Sequence, residues 1–153
     1  MFNTRIKIKA LLQNEKASYQ ATVMGWVRSF RNNQFIALND GSTNNNLQVV
    51  ATLGNFYDAL INRITTGACI KATGNIVAPL GKGQNVEMMA ETIEILGDSD
   101  AEKFPLQPKK HSLEFLREIA HLRFRTNTFV ALFSVRNSLA FAVHKFVNEM
   151  GLV

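Results

Sequence analysis

The stretch that decides the fold is GWVRSFRNNQFIALNDG, residues 25–41. Two short runs of strand-forming residues are joined in it by polar turn formers. Basic and aromatic side chains occupy positions where a hidden core strand would be apolar: Trp26, Arg28, Phe30, Arg31 and Phe35. Two interpretations stay open. The stretch is either an ordinary hairpin with a soluble outer face, or a surface that holds something flat and negatively charged.

Outward from this hairpin, alternating apolar and polar residues predict five strands, over residues 19–30, 35–39, 47–52, 68–78 and 85–96. Phe56, Leu60 and Ile64 recur at helical spacing within residues 55–64, between the third and fourth strands. A short helix over residues 6–13 is predicted to precede them all. Three strands, a helix and two strands is the order of an OB-fold, a small Greek-key barrel. The predicted fold class is therefore mainly β, a five-stranded OB-fold barrel.

Three local features belong to the same prediction. Gly25 and Gly74, inside the first and fourth strands, fit the bends that a small closed barrel needs. Along the fifth strand, the apolar residues switch from one set of alternating positions to the other. This switch predicts a bulge near Glu91. The turn formers DGSTNNN (40–46) and PLGKGQ (79–84) predict loops.

The character of the chain changes after residue 96. Residues 97–111 are polar and hold two of the three prolines, so they read as a linker, and Ser112 is placed to cap a short helix. A long helix is predicted over residues 127–150, ended by Gly151. Its apolar residues cover nearly the whole circumference, so we expect burial on more than one side. Since the chain stops at Val153, we expect the N-terminal part of a longer protein.

Composition and motifs narrow the class of protein. The net charge is +5 with a pI of about 9.6, which fits a polyanionic partner without requiring one. Cys69 is the single cysteine, so no internal disulfide forms and a reducing compartment fits best. The sequence has no signal peptide, no membrane-spanning apolar run, no metal-ligand spacing among its three histidines, and no catalytic triad, P-loop or HExxH motif. These observations favour a binding module.

OB-folds bind oligonucleotides on the outer face of their first three strands. The residue types needed for that are present, and the candidates are Arg28, Arg31, Phe35, Gln48, Glu87 and, in the loop between the last two strands, Lys82. A structural interpretation stands beside each one. Phe35 is alternatively a core aromatic, the arginines are solvated strand ends, and Gln48 is a neutral exposed residue. Trp26 is expected to pack against the linker or a neighbouring strand.

Six segments carry a resemblance to a known family. The chain resembles, along all 153 residues, the N-terminal portion of the asparaginyl-tRNA synthetases, which are class IIb aminoacyl-tRNA synthetases. The segments are GWVRSFR (25–31), FIALNDGS (35–42), LQVV (47–50), TTGACIKATGNIV (65–77), GKGQNVEM (81–88) and KKHSLEFLREIAHLRFRTNTF (109–129). The first five occur broadly in class IIb barrels. The last indicates the asparagine enzyme, because the aspartate enzyme is expected to have an RYLDLR-like stretch there.

The resemblance implies an organisation and a set of residue roles. Residues 1–96 would be the anticodon-binding barrel, 97–122 the hinge, and 123–153 the start of the catalytic domain with its motif 1 helix. Phe35 would stack on the central anticodon uridine, and Arg31, Gln48 and Glu87 would hydrogen-bond the base. The helix would build a homodimer interface, with these candidates: Phe129, Leu132, Phe133, Arg136 and Phe141.

It also implies an activity that lies outside this chain. The full-length enzyme would be a cytoplasmic ligase that joins asparagine to its tRNA with ATP and Mg²⁺ through an asparaginyl-adenylate. Motifs 2 and 3 are absent from these residues, so we expect this chain to bind tRNA and to catalyse nothing, with no cofactor of its own. Two alternatives remain: a stand-alone binder of single-stranded nucleic acid, and a related class IIb synthetase or paralogue of the aspartate type.

Overall fold

Five strands close into a barrel in the spatial order β1-β2-β3-β5-β4. They are β1 (Tyr19–Arg31), β2 (Phe35–Asn39), β3 (Leu47–Ala51), β4 (Cys69–Val77) and β5 (Glu87–Gly97). Neighbouring strands pair antiparallel except for β3 and β5, which pair in parallel and so close the barrel. The structure is a computed structural model that describes residues 5–14, 18–52, 54–79 and 85–152. The predicted five-stranded OB-fold is confirmed.

The helices within the described residues are α1 (Ile8–Gln13), α2 (Asp58–Ile61), α3 (Leu113–Glu118) and α4 (Asn127–Glu149), with a 3-10 turn at Arg123–Arg125. The chain divides into two compact units, residues 1–110 and 111–153. The first unit holds the barrel, α1 and α2. The second holds α3, the 3-10 turn and α4. The division into 1–96, 97–122 and 123–153 stays a prediction.

Apolar side chains from all five strands, from α1 and from the α2 region fill the barrel. Each fully buried aliphatic side chain stabilises the fold by roughly 1.5–3 kcal/mol relative to its exposed state. The largest fully buried members are Ile8, Leu11, Val23, Val27, Ile36, Leu38, Leu47, Val49, Ile70, Ile76, Val86 and Met88. The alternation read from the sequence therefore assigns the inner face correctly along most of the barrel.

A bulge in β1 and one near the middle of β5 change which residues face the core. In β1, Val27 pairs with Leu38 but Ser29 pairs with Ala37, so Arg28 is the extra residue. Phe30 is thereby turned inward and packs against the core. In β5, Thr92 and Ala90 pair with consecutive residues of β4, so Glu91 is skipped, as predicted. Its carboxylate accepts hydrogen bonds from the side-chain amides of Gln20 and Asn75, both at 2.7 Å.

Gly25 and Gly74 are required because the backbone of a neighbouring strand passes very close to each of them. A Cβ on Gly25 would collide with the carbonyl oxygen of Asn39, and one on Gly74 with that of Met89. Since both obstacles are backbone of the neighbouring strand, no side-chain movement could relieve them. The predicted association of these glycines with barrel closure therefore has a specific cause.

The turn after β2 holds α1 in place. Asp40 Oδ2 accepts a hydrogen bond from the Ile8 N–H, and Ser42 Oγ accepts one from the Lys9 N–H, both at 3.0 Å. Lys7, which precedes the helix, makes no side-chain capping bond. Two free N–H groups at the start of α1 are thus satisfied by residues more than thirty positions later in the chain.

The helix predicted over residues 55–64 is shorter, because α2 spans only Asp58–Ile61. After Ile61 the chain tightens, and the N–H groups of Arg63 and Ile64 donate to carbonyls three residues earlier, at 3.0 and 3.1 Å. Leu60 and Ile64 are nevertheless buried in the barrel core. The predicted inward face is correct although the length is not.

The helix bounds of the second unit follow the sequence prediction closely, but the expected burial of the long helix on more than one side is not seen within the described part of this chain. Ser112 Oγ accepts a hydrogen bond from the Phe115 N–H at 3.2 Å and so caps α3. Gly151, with φ +67°, ends the long helix α4. Phe129 is the one buried residue of α4. Among the described residues, no helix has the length and hydrophobicity needed to cross a membrane.

Candidate nucleic-acid interface

The outer face of β1, β2 and β3 presents side chains in two rows across the sheet. In the first row Arg31 lies opposite Phe35, Phe35 opposite Val50, and Val50 opposite Met89 of β5. In the second row Ser29 lies opposite Ala37, and Ala37 opposite Gln48. Since alternate residues of a strand share a face, both rows project away from the core.

A polar groove of about 480 Å³ lies on this face. Arg31 is the one charged residue among its described lining, and the others are neutral. They are Leu12 from α1, Ser29, Ala37 and Gln48 from the second row, Asn45 and Asn46 from the loop between β2 and β3, and Asn85 before β5. A groove of this composition suits a ligand that offers many hydrogen-bonding groups and a limited number of charges.

A tight turn places Arg31 and Phe35 side by side. Asn32 and Asn33 both adopt left-handed conformations, with φ of 53° and 51°, and the Gln34 N–H donates to the Arg31 carbonyl at 3.1 Å. Asparagine tolerates this conformation better than most residues, and such turns match the twist of paired strands. Phe35 is half-buried and lies outside the core cluster, whereas Arg31 is exposed.

Gln48 is held by a buried carboxylate. Its Nε2 donates to Glu87 Oε1 at 3.1 Å, and Glu87 is only 5% exposed. Glu87 is absent from the groove lining and contacts the groove through Gln48. The hydrogen bond fixes which end of the Gln48 amide faces the carboxylate, because a carboxylate oxygen accepts and the amide nitrogen donates.

The remaining candidates have different positions. Arg28 occupies the β1 bulge, and burial of its guanidinium lowers the pKa of that group, which stays cationic at neutral pH. Lys82 lies outside the described residues.

Trp26 is half-buried and pairs with Asn39. Its ring lies over the turn at Gly41, where an added Cβ would come within 3.1 Å of the indole. That packing suits a structural residue.

Sequence reasoning missed most of the groove lining. The sequence pattern predicts Asn45 and Asn46 only as turn formers, and it places Leu12 in the first helix without a binding role. The run of asparagines at 44–46 was the available signal, because three successive carboxamides exceed what a turn requires. Ser29, Ala37 and Asn85 carry no signal of their own, since their place in the groove depends on strand register.

The dimer-interface candidates on α4 divide into two groups. Phe129 is 8% exposed and Phe133 half-buried, and both rings lie beneath the Arg123 guanidinium, at 5.1 and 5.7 Å from their centroids. Leu132, Arg136 and Phe141 are exposed. The structure therefore covers the first pair within the chain and leaves the other three accessible.

No group of three or more His, Cys, Asp or Glu side chains within the described ranges is arranged to hold a metal ion. The described lining of the groove includes no carboxylate, and Glu87 is bonded to Gln48. The chemistry available at this face is hydrogen bonding, stacking and the positive charge of Arg31.

Comparisons with known proteins find one matching family model and several similar proteins. Residues 21–96 match the family described as an OB-fold nucleic acid binding domain. An asparagine--tRNA ligase of Cytophaga hutchinsonii is 49% identical over 154 aligned residues, which cover 97% of this chain and 33% of that protein. The chain thus spans about a third of the length of the curated relatives it matches, and corresponds to their N-terminal third.

Solved structures agree on the fold. The crystal structure of asparaginyl-tRNA synthetase from Pyrococcus horikoshii superposes with a TM-score of 0.79 at 18% identity, and covers 99% of this chain and 36% of that one. An aspartyl-tRNA synthetase from Entamoeba histolytica superposes with a TM-score of 0.76 at 16% identity, over 95% of this chain and 37% of that one. At such identities the likeness concerns the fold alone.

Proposed function

We propose that the barrel binds the anticodon of asparagine tRNA, because residues 21–96 match the family of OB-fold nucleic acid binding domains and the chain matches the N-terminal third of asparagine--tRNA ligases. One observation carries the proposal. Two rows of side chains on strands β1 to β3 bring Arg31 and Gln48 onto one polar groove, with Phe35 beside it.

Each residue has a defined role in this proposal. Phe35 stacks on an unpaired anticodon base, and Arg31 beside it neutralises a phosphate or bonds the base edge. Gln48, oriented by Glu87, hydrogen-bonds the same base. Arg28 supports the strand at the bulge and adds positive charge. Lys82, which lies in the sequence between β4 and β5, contributes a further positive charge toward a phosphate.

The activity of the longer protein belongs to the same proposal. Its full-length form attaches asparagine to tRNA in the cytoplasm, with ATP and Mg²⁺ and through an asparaginyl-adenylate. Residues 1–96 supply anticodon binding, 97–122 the hinge and 123–153 the first helix of the catalytic domain. That helix contributes to a homodimer interface through these side chains: Phe129, Leu132, Phe133, Arg136 and Phe141.

The decisive experiment replaces Phe35 with alanine. We expect the substitution to weaken binding of a synthetic stem-loop with the asparagine anticodon by roughly 1–3 kcal/mol, because a stacking surface is lost. Isothermal titration or fluorescence anisotropy would measure the affinity. Tyr57→Ala is the matched control, since Tyr57 is an aromatic residue of the same unit that is 71% exposed and lies outside the groove lining.

Comparison stem-loops separate the alternatives. A stem-loop with the aspartate anticodon, and a random oligonucleotide of equal length, are titrated at matched salt, because phosphate contacts make every affinity salt-dependent. Equal affinity for all three would indicate a stand-alone single-strand binder. Preference for the aspartate stem-loop would indicate the aspartate-type enzyme. An unchanged affinity of Phe35→Ala for the asparagine stem-loop would remove the stacking role.

A further inference from the structure

Residues 98–107 follow β5 directly, and their polar composition places them in the predicted linker. The structure shows instead a folded segment, which is called the strap below. The Asp100 carbonyl accepts a hydrogen bond from the Phe104 N–H at 3.0 Å. Asp100 Oδ1 accepts from the N–H groups of Glu102 and Lys103, at 2.9 and 3.2 Å. A carboxylate that bonds the backbone two and three residues later fixes a local turn.

Gln107 closes the strap from its other end. Its Nε2 donates to the carbonyls of Ala101 and Phe104, at 2.8 and 2.7 Å. Residues 104–107 are half-buried, whereas residues 101–103 are exposed. A surface loop whose own side chains hold its ends together is a compact unit, and it differs in this from an extended connection.

Polar contacts attach the start of the strap to the connection between α2 and β4. Arg63 bonds both carboxylate oxygens of Asp98, from Nε at 2.8 Å and from Nη2 at 2.7 Å. The Thr65 hydroxyl donates to the Ser99 carbonyl at 2.5 Å. Because the side chains of Arg63 and Asp98 are more than half exposed, their ion pair stabilises the fold only weakly. Its two-point geometry nevertheless defines where the strap lies.

The Phe104 ring is the apolar anchor of the strap. It lies against the backbone of Gly67, where an added Cβ would come between 2.7 and 2.8 Å from three ring atoms. Gly67 has φ +91°, a conformation that glycine adopts readily. The Gly67 N–H donates to the Val27 carbonyl, and the Val27 N–H donates to the Ala68 carbonyl, both at 2.8 Å. The strap therefore rests on backbone that is hydrogen-bonded to β1.

The residues that follow the strap have a different character. Pro108, Lys109 and Lys110 are all exposed. The compact unit that holds the barrel ends at Lys110, and His111 begins the second unit. Boundaries between compact units fall in exposed segments that few contacts cross.

We propose that the strap is an integral part of the barrel unit and that the joint between the two units is confined to residues 108–110. This joint is much shorter than the hinge predicted over residues 97–122. When the barrel reorients relative to the rest of the longer protein, it carries the strap with it as one body. The joint does not depend on the anticodon-binding function, because the contacts that define it lie outside the described lining of the groove.

Limited proteolysis with trypsin tests this arrangement, because the chain offers two lysines for comparison. Lys103 lies in the strap with its side chain 87% exposed, and Lys110 lies in the joint and is also exposed. Since both side chains are accessible, a difference in cleavage rate reports the order of the backbone around each one. Mass spectrometry of the fragments over time identifies each cut and gives its rate.

We expect cleavage after Lys110 to be at least about tenfold faster than cleavage after Lys103, because a cut within an ordered segment requires its local opening. Phe104→Ala should raise the rate at Lys103 toward the rate at Lys110, since it removes the apolar anchor. It should leave the rate at Lys110 unchanged.

Arg63→Ala is a second variant that releases the strap, and it leaves the sequence around Lys103 intact. It should raise the rate at Lys103 by a smaller factor, because the lost ion pair is exposed. Glu149→Ala is the matched control, since it removes an exposed ion pair with Lys145 in the second unit. It should leave the rate at Lys103 unchanged.

Equal cleavage after Lys103 and Lys110 in the unsubstituted chain would overturn the proposal, because the strap would then be part of a flexible linker. Protection of Lys103 that persists in both Phe104→Ala and Arg63→Ala would also overturn it, because the barrel would not be holding the strap. Thermal denaturation of each variant shows that the barrel is folded. If Phe104→Ala unfolds it, the rate at Lys103 in Arg63→Ala decides.

Discussion

At the scale of single residues, the hydrogen bond between Gln48 and Glu87 is the contact whose role is least evident from sequence. A buried carboxylate next to a nucleic-acid face opposes phosphate binding by its charge. Its geometry resolves the conflict, because Glu87 is 5% exposed and contacts the groove through the Gln48 amide. In the proposed interface, we expect Glu87 to act by orienting a neutral group.

This arrangement predicts non-additive effects of two substitutions. Gln48→Ala should weaken stem-loop binding by about 1 kcal/mol, roughly fivefold, the value of a typical hydrogen bond. Glu87→Ala should cause a similar loss, because it releases the Gln48 amide. The double variant should be little worse than Gln48→Ala, since both changes remove the same contact. Binding titrations of the four proteins measure the coupling.

Thermal denaturation of each variant is the necessary companion, because Glu87 is buried and its removal could disturb β5. Folded variants whose losses simply add would contradict the orienting role. Additive losses would mean that Glu87 bonds the base itself.

For Phe30 and Phe35, the sequence alone does not determine which face of the sheet each side chain occupies. Simple alternation along residues 25–41 assigns their faces ambiguously, and for Phe35 it favours a core aromatic over a stacking surface. The bulge at Arg28 decides the matter, because it turns Phe30 into the core and leaves Phe35 opposite Arg31 on the outer face. A bulge depends on the partner strand, so its place in β1 could not be read from this stretch alone.

At the scale of elements, α1 depends on a turn from elsewhere in the chain. A helix of six residues has little stability by itself, and α1 has no capping side chain of its own. Asp40 accepts from the Ile8 N–H through one carboxylate oxygen and from the Ser42 N–H and hydroxyl through the other, at 3.0, 3.0 and 2.6 Å.

Asp40→Ala should therefore lower the free energy of unfolding by about 1 kcal/mol, in the range found for loss of a helix cap. Urea denaturation followed by circular dichroism gives the value. Asp40→Asn is the matched variant, since it retains one oxygen acceptor and should lose less. A stability of Asp40→Ala within the error of the unsubstituted chain would show that the turn does not support α1.

The elements themselves were largely predictable, and the links between them were not. Alternation located the five strands, the phase change located the β5 bulge at Glu91, and Ser112 marked the start of α3. The cap on α1 joins residues 32 and 33 positions apart, and no local pattern reports such a pairing. Residue 53 and residues 80–84, which include Lys82, lie outside the described residues.

At the scale of the whole molecule, α4 presents an apolar stripe to solvent. Leu132, Val135, Leu139, Val143 and Phe146 recur at spacings of three and four, so they share one face of the helix, and each is between 52% and 62% exposed. Exposed apolar surface of this extent marks an interaction site.

We expect this chain to self-associate through α4 as its concentration rises, because burying the stripe against a second copy removes apolar surface from water. Sedimentation over a concentration series measures the mass. Leu139→Glu should shift the equilibrium strongly toward monomer, since it places a charge in the centre of the stripe. Asn137→Glu adds the same charge at an exposed polar position of the helix and should leave association unchanged.

Phe141→Glu decides which face is used. Phe141 is 69% exposed and lies on the opposite side of α4 from Leu139, because residues two apart are rotated by about 200°. If Phe141→Glu dissociates the assembly and Leu139→Glu does not, the interface is the face that carries Phe141. A clean monomer at the highest concentration would contradict self-association altogether. In that case the apolar surface of α4 would have to be covered by a partner other than a second copy of this chain.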